Sequence, residues 1–151
     1  MSGYLLDTNV VSMFSPSKSR TSSRFIEWLE RADTEGRIHL SVVTIHEIEK
    51  GISKLEAKGA TAKAATVRDW LSGLVATFAD KILDLDIQAA SVSGRLESRA
   101  LSGGHDPGMA DALIAGIAQA HGLTVVTCNT KHFLPFGISV LSPDDAMADP
   151  A

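Results

Sequence analysis

Four oxygen-bearing side chains, Asp7, Glu47, Asp111 and Asn129, stand at places in this sequence where chemistry is expected. Asp7 directly follows the apolar run Tyr4-Leu5-Leu6, at or just past the carboxyl end of what reads as a buried first strand, the place where open α/β sheets bind ligands. The same residue also suits the cap of a short helix beginning near Val10, or an Asx-turn. Asp111 is harder to explain as structural. Ala110, Leu113, Ile114, Ile117, Ala118 and His121 form one apolar stripe at helical spacing, and Asp111 lies about a quarter of a turn from its centre, among alanines. A carboxylate on a helix this apolar costs several kcal/mol unless a cation or hydrogen-bond donors compensate. The structural alternative is interaction with the helix N-terminus, for which Asp106 is better placed. Glu47 completes an S/T-x-x-E capping box, Thr44-Ile45-His46-Glu47, and that same first turn would also project its carboxylate over the carboxyl end of the sheet. Asn129 follows Leu123 to Thr127 as Asp7 follows its own strand, and its amide either assists a metal-bound water or makes a turn. Three carboxylates and an amide, without accompanying Cys and without paired His at zinc spacing, select Mg²⁺, or Mn²⁺, over Zn²⁺.

These residues converge only if the elements that carry them lie side by side. The spacing predicts a strand at Gly3 to Leu6, and a helix from Ser22 or Ser23 to about Asp33 with Phe25, Ile26 and Leu29 on one face and Trp28 beside them. A β-branched strand at Ile38 to Val43 is followed by a helix opened by Thr44 and closed by Gly59. Ala60 to Ala79 carries an amphipathic stripe, Ile82 to Leu85 a short strand, and Asp86 caps a helix from about Ile87 to Leu101. Asp106-Pro107 reads as the start of a helix running to His121, before strands at Leu123 to Thr127 and Ile138 to Leu141. Strands that are apolar throughout and alternate with helices predict a three-layer α/β/α sandwich with a mainly parallel sheet of about five strands. Residues 1–142 are expected to form one domain, with 143–151 a C-terminal tail.

Composition excludes much else. The 151 residues are 44% hydrophobic and 21% charged, which is ordinary for one globular domain and unlike disordered or collagenous chains. The net charge of −4 supplies no global field for nucleic acid, so a polyanion has to be met by a local patch. Lys50, Lys54 and Lys58 recur on one helical face, and Lys18, Arg20 and Arg24 cluster after the first strand. The stretch Leu113 to Val126 is too short to cross a bilayer, and the N-terminus lacks a signal peptide's basic start. With the single thiol, Cys128, these features lead us to expect a cytoplasmic protein. Walker, dinucleotide-binding and nucleophile-elbow motifs are all missing.

Leu6-Asp7-Thr8-Asn9, the Thr44-Ile45-His46-Glu47 helix start, Ala110-Asp111-Ala112-Leu113-Ile114-Ala115 and Thr127-Cys128-Asn129-Thr130-Lys131-His132-Phe133 resemble, in order, the successive motifs of PIN-domain proteins. The whole chain resembles the VapC/FitB-like toxins of bacterial toxin–antitoxin pairs. The resemblance implies a PIN-like α/β/α fold and an Mg²⁺- or Mn²⁺-dependent endoribonuclease. It also implies inhibition by a cognate VapB-like antitoxin whose C-terminal segment occupies a groove, and contact with DNA only indirectly, through that antitoxin. Matched by position, Asp7, Glu47 and Asp111 are the acidic metal-site residues and Asn129 stands at a fourth, often acidic, position. Cys128 stands where relatives often have Arg, and His132 where many have Asp. A homodimer is expected from the same resemblance and from the apolar surface of Ala60–Ala79 and the Trp28 helix. Two other readings remain open: a catalytically inactive PIN-like binding or regulatory module, and an aspartyl-phosphate phosphatase, which would need a second Asp where Asn9 stands.

Overall fold

The computed structural model describes residues 3–16 and 21–149. Tyr4-Leu5-Leu6 forms β1 (Tyr4–Leu6), followed by α1 (Thr8–Ser12), α2 (Ser23–Thr34), β2 (Ile38–Ser41), α3 (Val42–Ala57) and α4 (Thr61–Phe78). The second half contains β3 (Ile82–Leu83), α5 (Ile87–Ser102), α6 (Met109–Ala120), β4 (Thr124–Val126), α7 (Thr130–Phe133), β5 (Val140–Leu141) and α8 (Pro143–Ala148). The strands make one sheet in the order β3-β2-β1-β4-β5, every pairing parallel, with Leu5 opposite both His39 and Val125. No helix among the described residues is long and apolar enough to cross a membrane.

A strand without polar side chains has to be covered on both faces, and the period-two alternation of β1 divides its residues between two cores. Tyr4 and Leu6 join Ile38, Leu40 and Val126 beneath residues of α2, α3 and α4. Leu5 and Val125 point the other way, against Ala112, Ile114, Ala115 and Ile117 of α6 and Ala89 and Leu96 of α5. The expected three-layer sandwich results. α6 is buried along most of its length because α5 comes close: a Cβ built on Gly116 would lie 2.6 Å from Ser93 Cβ and 2.7 Å from the Ala89 carbonyl oxygen.

Several local expectations are corrected. The second strand stops at Ser41, not Val43, because the Ser41 Oγ accepts the Thr44 N–H at 3.3 Å and caps α3. The helix thus starts at Val42 despite two β-branched residues, and Thr44 with Glu47 is not a capping box. Asp106-Pro107 does not open α6, which begins at Met109 after Gly108, a cap residue with no side-chain hydrogen bond. Trp28 is not available surface: it is 7% exposed, stacked on Phe25 at 5.5 Å and met edge-on by Tyr4 at 5.1 Å. Pro143–Ala148 is helical and packed on α2, with Ala146 buried and the Tyr4 hydroxyl donating to Asp149 Oδ2 at 2.7 Å. Residues 143–149 therefore pack against the sheet and α2. Lys18 and Arg20 lie outside the described residues, and Arg24 is exposed on α2.

Gly116→Ala tests the close packing of α5 on α6. The added methyl needs a shift of Ser93 or of backbone, so a loss of about 1–3 kcal/mol is expected in urea unfolding. An unchanged midpoint would show that the two helices can separate freely.

Candidate active site

The sheet order reverses at β1: the chain moves outward through β2 and β3, then returns to the other side of β1 with β4 and β5. A crevice opens at such a switch point, outside the carboxyl ends of the two central strands. Asp7 ends β1 there, and Thr127, Cys128 and Asn129 end β4.

Asp7 is 5% exposed. Its Oδ1 accepts the Thr8 N–H at 2.8 Å, the capping bond that starts α1, and its Oδ2 accepts the Thr127 hydroxyl at 2.7 Å. It therefore has both roles considered from sequence, a helix cap and a carboxylate at the crevice. Burial nevertheless raises its pKa above the ordinary value, with nearby Glu47 adding to the rise, while the bonds from Thr127 and Thr8 and the presence of His132 act against it.

Asp111 stands in the first turn of α6, half-buried. With no side-chain cap at Gly108, the helix N-terminus gives this carboxylate a more favourable backbone setting than the sequence suggested. Burial still pushes its pKa up to about 6, with repulsion from Asp7 next and Glu47 contributing, and His132 opposing. His132 Nδ1 lies 3.7 Å from Asp111 Oδ2.

Glu47 joins this group from α3 because it is not used as a cap. Its Oε1 accepts from the Thr8 hydroxyl, and Thr8 Oγ1 lies 2.9 Å from Thr44 Oγ1. A hydroxyl has one proton. Thr8 gives its proton to Glu47, so buried Thr44 donates to Thr8, and the relay fixes α3 to the end of β1. Asn129 is exposed, and its part in the structure is made by backbone: its N–H donates to Thr127 Oγ1 at 3.0 Å and its carbonyl receives the His132 N–H at 3.0 Å. The three acids therefore feel one another across the crevice, while the amide of Asn129 is held by no described side chain.

Sequence reasoning gave no site role to Thr8, Asn9 or Thr127, and read Thr44 only as a helix cap. Asn9 spans the crevice, its Oδ1 accepting the Cys128 N–H at 3.2 Å and its Nδ2 lying 3.4 Å from Thr127 Oγ1. The available signal was position: hydroxyls and an amide adjoining Asp7 and Glu47, at the ends of strands too apolar to offer other donors.

Among the described residues, no three His, Cys, Asp or Glu side chains stand close enough to enclose an ion together. The donors do fit a hydrated hard cation. They are carboxylate oxygens with lone pairs left over, they repel one another, and Mg²⁺ is usually held by one or two carboxylates with water completing its shell.

Residues 4–134 match the family model described as PIN domain. The chain is 30% identical over 139 residues to Toxin FitB of Neisseria gonorrhoeae, covering 92% of this chain and 96% of that one. It is 29% identical over 131 residues to the tRNA(fMet)-specific endonuclease VapC of Shigella flexneri, covering 86% of this chain and 89% of the relative. Among solved structures, FitAcB from Neisseria gonorrhoeae superposes with a TM-score of 0.78 at 30% identity, covering 93% of this chain and 97% of that one.

The raised pKa of Asp111 makes a signed prediction. In EDTA, the folded chain takes up a proton near pH 6 that the unfolded chain takes up only near the ordinary carboxyl value, so this group adds stability as pH falls from about 7 to about 4. Asp111→Asn should remove that gain and melt higher than the parent at pH 7.5. The difference between the two melting curves isolates the effect from groups such as His39, whose pKa is lowered by burial. Parallel pH profiles would refute it.

Proposed function

The chain belongs to the PIN domain family, and from that premise we propose that it is a divalent-metal-dependent endoribonuclease, the toxin of a toxin–antitoxin pair. The observation that carries the reading is the convergence of Asp7, Asp111 and Glu47 at the switch-point crevice, where burial first, and repulsion from Asp7 and Glu47 after it, push the Asp111 pKa up to about 6. A like-charged, partly buried cluster of this kind is costly unless a cation joins it. Asp7 and Asp111 are proposed to hold Mg²⁺ or Mn²⁺, with Glu47 reaching it directly or through water. When bound there, such an ion neutralises a nonbridging phosphate oxygen and lowers the pKa of an attacking water.

The chain's own residues supply the rest. Thr127 and Thr8 fix the Asp7 carboxylate at its two oxygens. The Thr44–Thr8–Glu47 relay occupies Glu47 Oε1 and leaves Oε2 to orient water. Asn129, exposed at the end of β4, is proposed to orient water or the substrate. An acidic site without metal repels RNA, so hydrolysis should depend on the ion, while RNA should still bind, more weakly, without it.

The proposed inhibitor is a VapB-like antitoxin. A cavity of about 230 Å³ beside Glu47, between α1, α3 and α4 and lined by Ile48, Ile52, Val67 and Trp70, offers an apolar seat for a partner segment, and a Lys or Arg of that segment would pair with the acids. A homodimer is proposed on the family likeness, since Trp28 is part of the core. Light scattering of the isolated chain reads the oligomer directly.

The deciding experiment is RNA cleavage by the purified chain in Mg²⁺, in Mn²⁺ and in EDTA. Cleavage should be lost in EDTA and should fall about 100-fold or more in Asp7→Asn, since the amide keeps the shape and deletes the charge. Cleavage that survives both changes would sink the reading, and a folded chain that binds RNA without cutting it in either metal would make it a binding module.

Thr127→Val removes one donor from the Asp7 carboxylate with little change of shape. An unfolding cost of about 1–3 kcal/mol is expected, with kcat falling more than KM rises, because the positioned carboxylate loses its orientation. Unaltered kcat would show that Thr8 alone positions Asp7.

A further inference from the structure

Beside Asp111, a cavity of about 410 Å³ opens between the 105–108 loop and α7. Its size falls within the range of about 300–1,000 Å³ common for small-ligand sites. Its walls are chemically uneven. Lys131 and His132 of α7 form one edge, with His132 Nδ1 lying 3.7 Å from Asp111 Oδ2, and His105 stands on the loop. Neither the Lys131 nor the His105 side chain has a hydrogen-bond or ion-pair partner among the described residues, the His105 N–H being held by the Ala100 carbonyl at 2.9 Å. Pro107 and Pro135 add apolar wall, and Asp106 is a carboxylate acceptor.

A cationic edge, an apolar wall and an acceptor complement the three parts of a nucleotide: its phosphodiester, the face of its base, and an N–H or 2′-hydroxyl donor. The separate cavity beside Glu47 is lined by Ile48, Ile52, Leu55, Val67 and Trp70 with one cation, Lys63, and has no comparable phosphate edge. The lysine row of α3, Lys50, Lys54 and Lys58, lines neither cavity.

Building on the ribonuclease reading above, we propose that the cleft between the 105–108 loop and α7 is a nucleotide subsite. It holds the nucleotide next to the scissile phosphodiester, with Lys131 and His132 on its phosphate and the base against Pro107 and Pro135. The RNA strand therefore leaves the acids across α7, while the apolar groove beside Glu47 stays free of it. Lys131 and His105 position the substrate and take no part in bond breaking.

The test uses the full chain and a fluorescein-labelled RNA of about 12 nucleotides, within the usual span of single-strand sites. Binding is read by anisotropy in EDTA at several salt concentrations, and cleavage in Mg²⁺. Lys131→Glu should raise KM about tenfold with kcat changed less than about twofold, and should lower the slope of log affinity against log salt by about 0.7, one phosphate contact on a single strand. Lys131→Arg should restore both, and His105→Ala should raise KM by a smaller factor. Melting curves of the variants should match the parent, since these side chains touch solvent. A cleaving parent whose KM and salt slope are unchanged by Lys131→Glu overturns the subsite, and so does a larger effect from Lys50→Glu. If the parent binds RNA but cuts none, the ribonuclease reading alone falls, and the subsite stands or falls on whether Lys131→Glu weakens that binding. RNA neither bound nor cut overturns both.

Discussion

The hydrogen bond from the Thr127 hydroxyl to Asp7 Oδ2, 2.7 Å long, joins two strand ends that are 120 residues apart in sequence. Each part of the crevice depends on it. The single proton of Thr127 goes to Asp7, and its lone pairs receive the Asn129 N–H at 3.0 Å and, more weakly, the Asn9 amide at 3.4 Å. One buried oxygen thus sets the direction of the carboxylate, the path of the chain after β4 and the side chain that spans the gap. A group without a hydrogen-bond donor in this place would raise the Asp7 pKa further, because burial at 5% exposure already raises it and the Thr127 bond is the largest effect opposing burial.

Packing brings the helices of the other two carboxylates to Asp7, and for Glu47 the Thr8 hydroxyl adds a hydrogen bond. α6 is pressed into the second core along Ala112, Ile114, Ala115 and Ile117, and the α5 backbone comes too close at Gly116 for any side chain there. α3 is anchored by Ile48 and Ile52 in the first core and by its Ser41 cap. The apolar surface buried along these helices offsets the repulsion at their ends. The acids stand together because the helices that carry them have no other way to cover the sheet, an arrangement in which local repulsion is tolerated for the sake of a site.

Much of this was legible in the sequence. Continuous apolar runs alternating with helical stripes specify a covered parallel sheet, and an Asp at the end of the first run falls at the switch point in such a fold. Asp111 stood out because it interrupts an apolar helix without a nearby charge. The misreadings share a physical cause: capping depends on which residue first leaves extended backbone, and that is decided by tertiary contacts. Val42 and Val43 have strand propensity, yet Ser41 supplies the cap, and Thr44 is drawn to Thr8 across 36 residues. Asp106 precedes Pro107 as a start signal should, yet the helix begins later, at Met109, and Asp111 then falls in its first turn. Trp28 looked spare because Tyr4, which meets it edge-on, comes from another element, while Phe25 of its own helix stacks on it. The hydroxyls went unnoticed since a single Thr has no periodic signature, and only the pairing of β1 with β4 reveals Thr127 as a donor.

Two clefts of opposite chemistry adjoin the acids, one lined by Asp111 and the other by Glu47, and the proposed catalysis and inhibition draw on one each. Asp7, Glu47 and Asp111 have one cationic neighbour among the described residues, His132, which is 63% exposed and charged only when protonated. Any ligand with lasting affinity for the cluster must therefore arrive with positive charge. Under the proposed function, RNA would meet that demand through a divalent ion at the acids, with Lys131 and His132 on its phosphate. The proposed protein partner would meet it with a Lys or Arg side chain carried on a segment whose apolar face suits Ile48, Ile52 and Trp70. Both ligands would then neutralise the same carboxylates. Each reduces the repulsion that draws in the other, so their competition does not require them to overlap anywhere except at the charge itself.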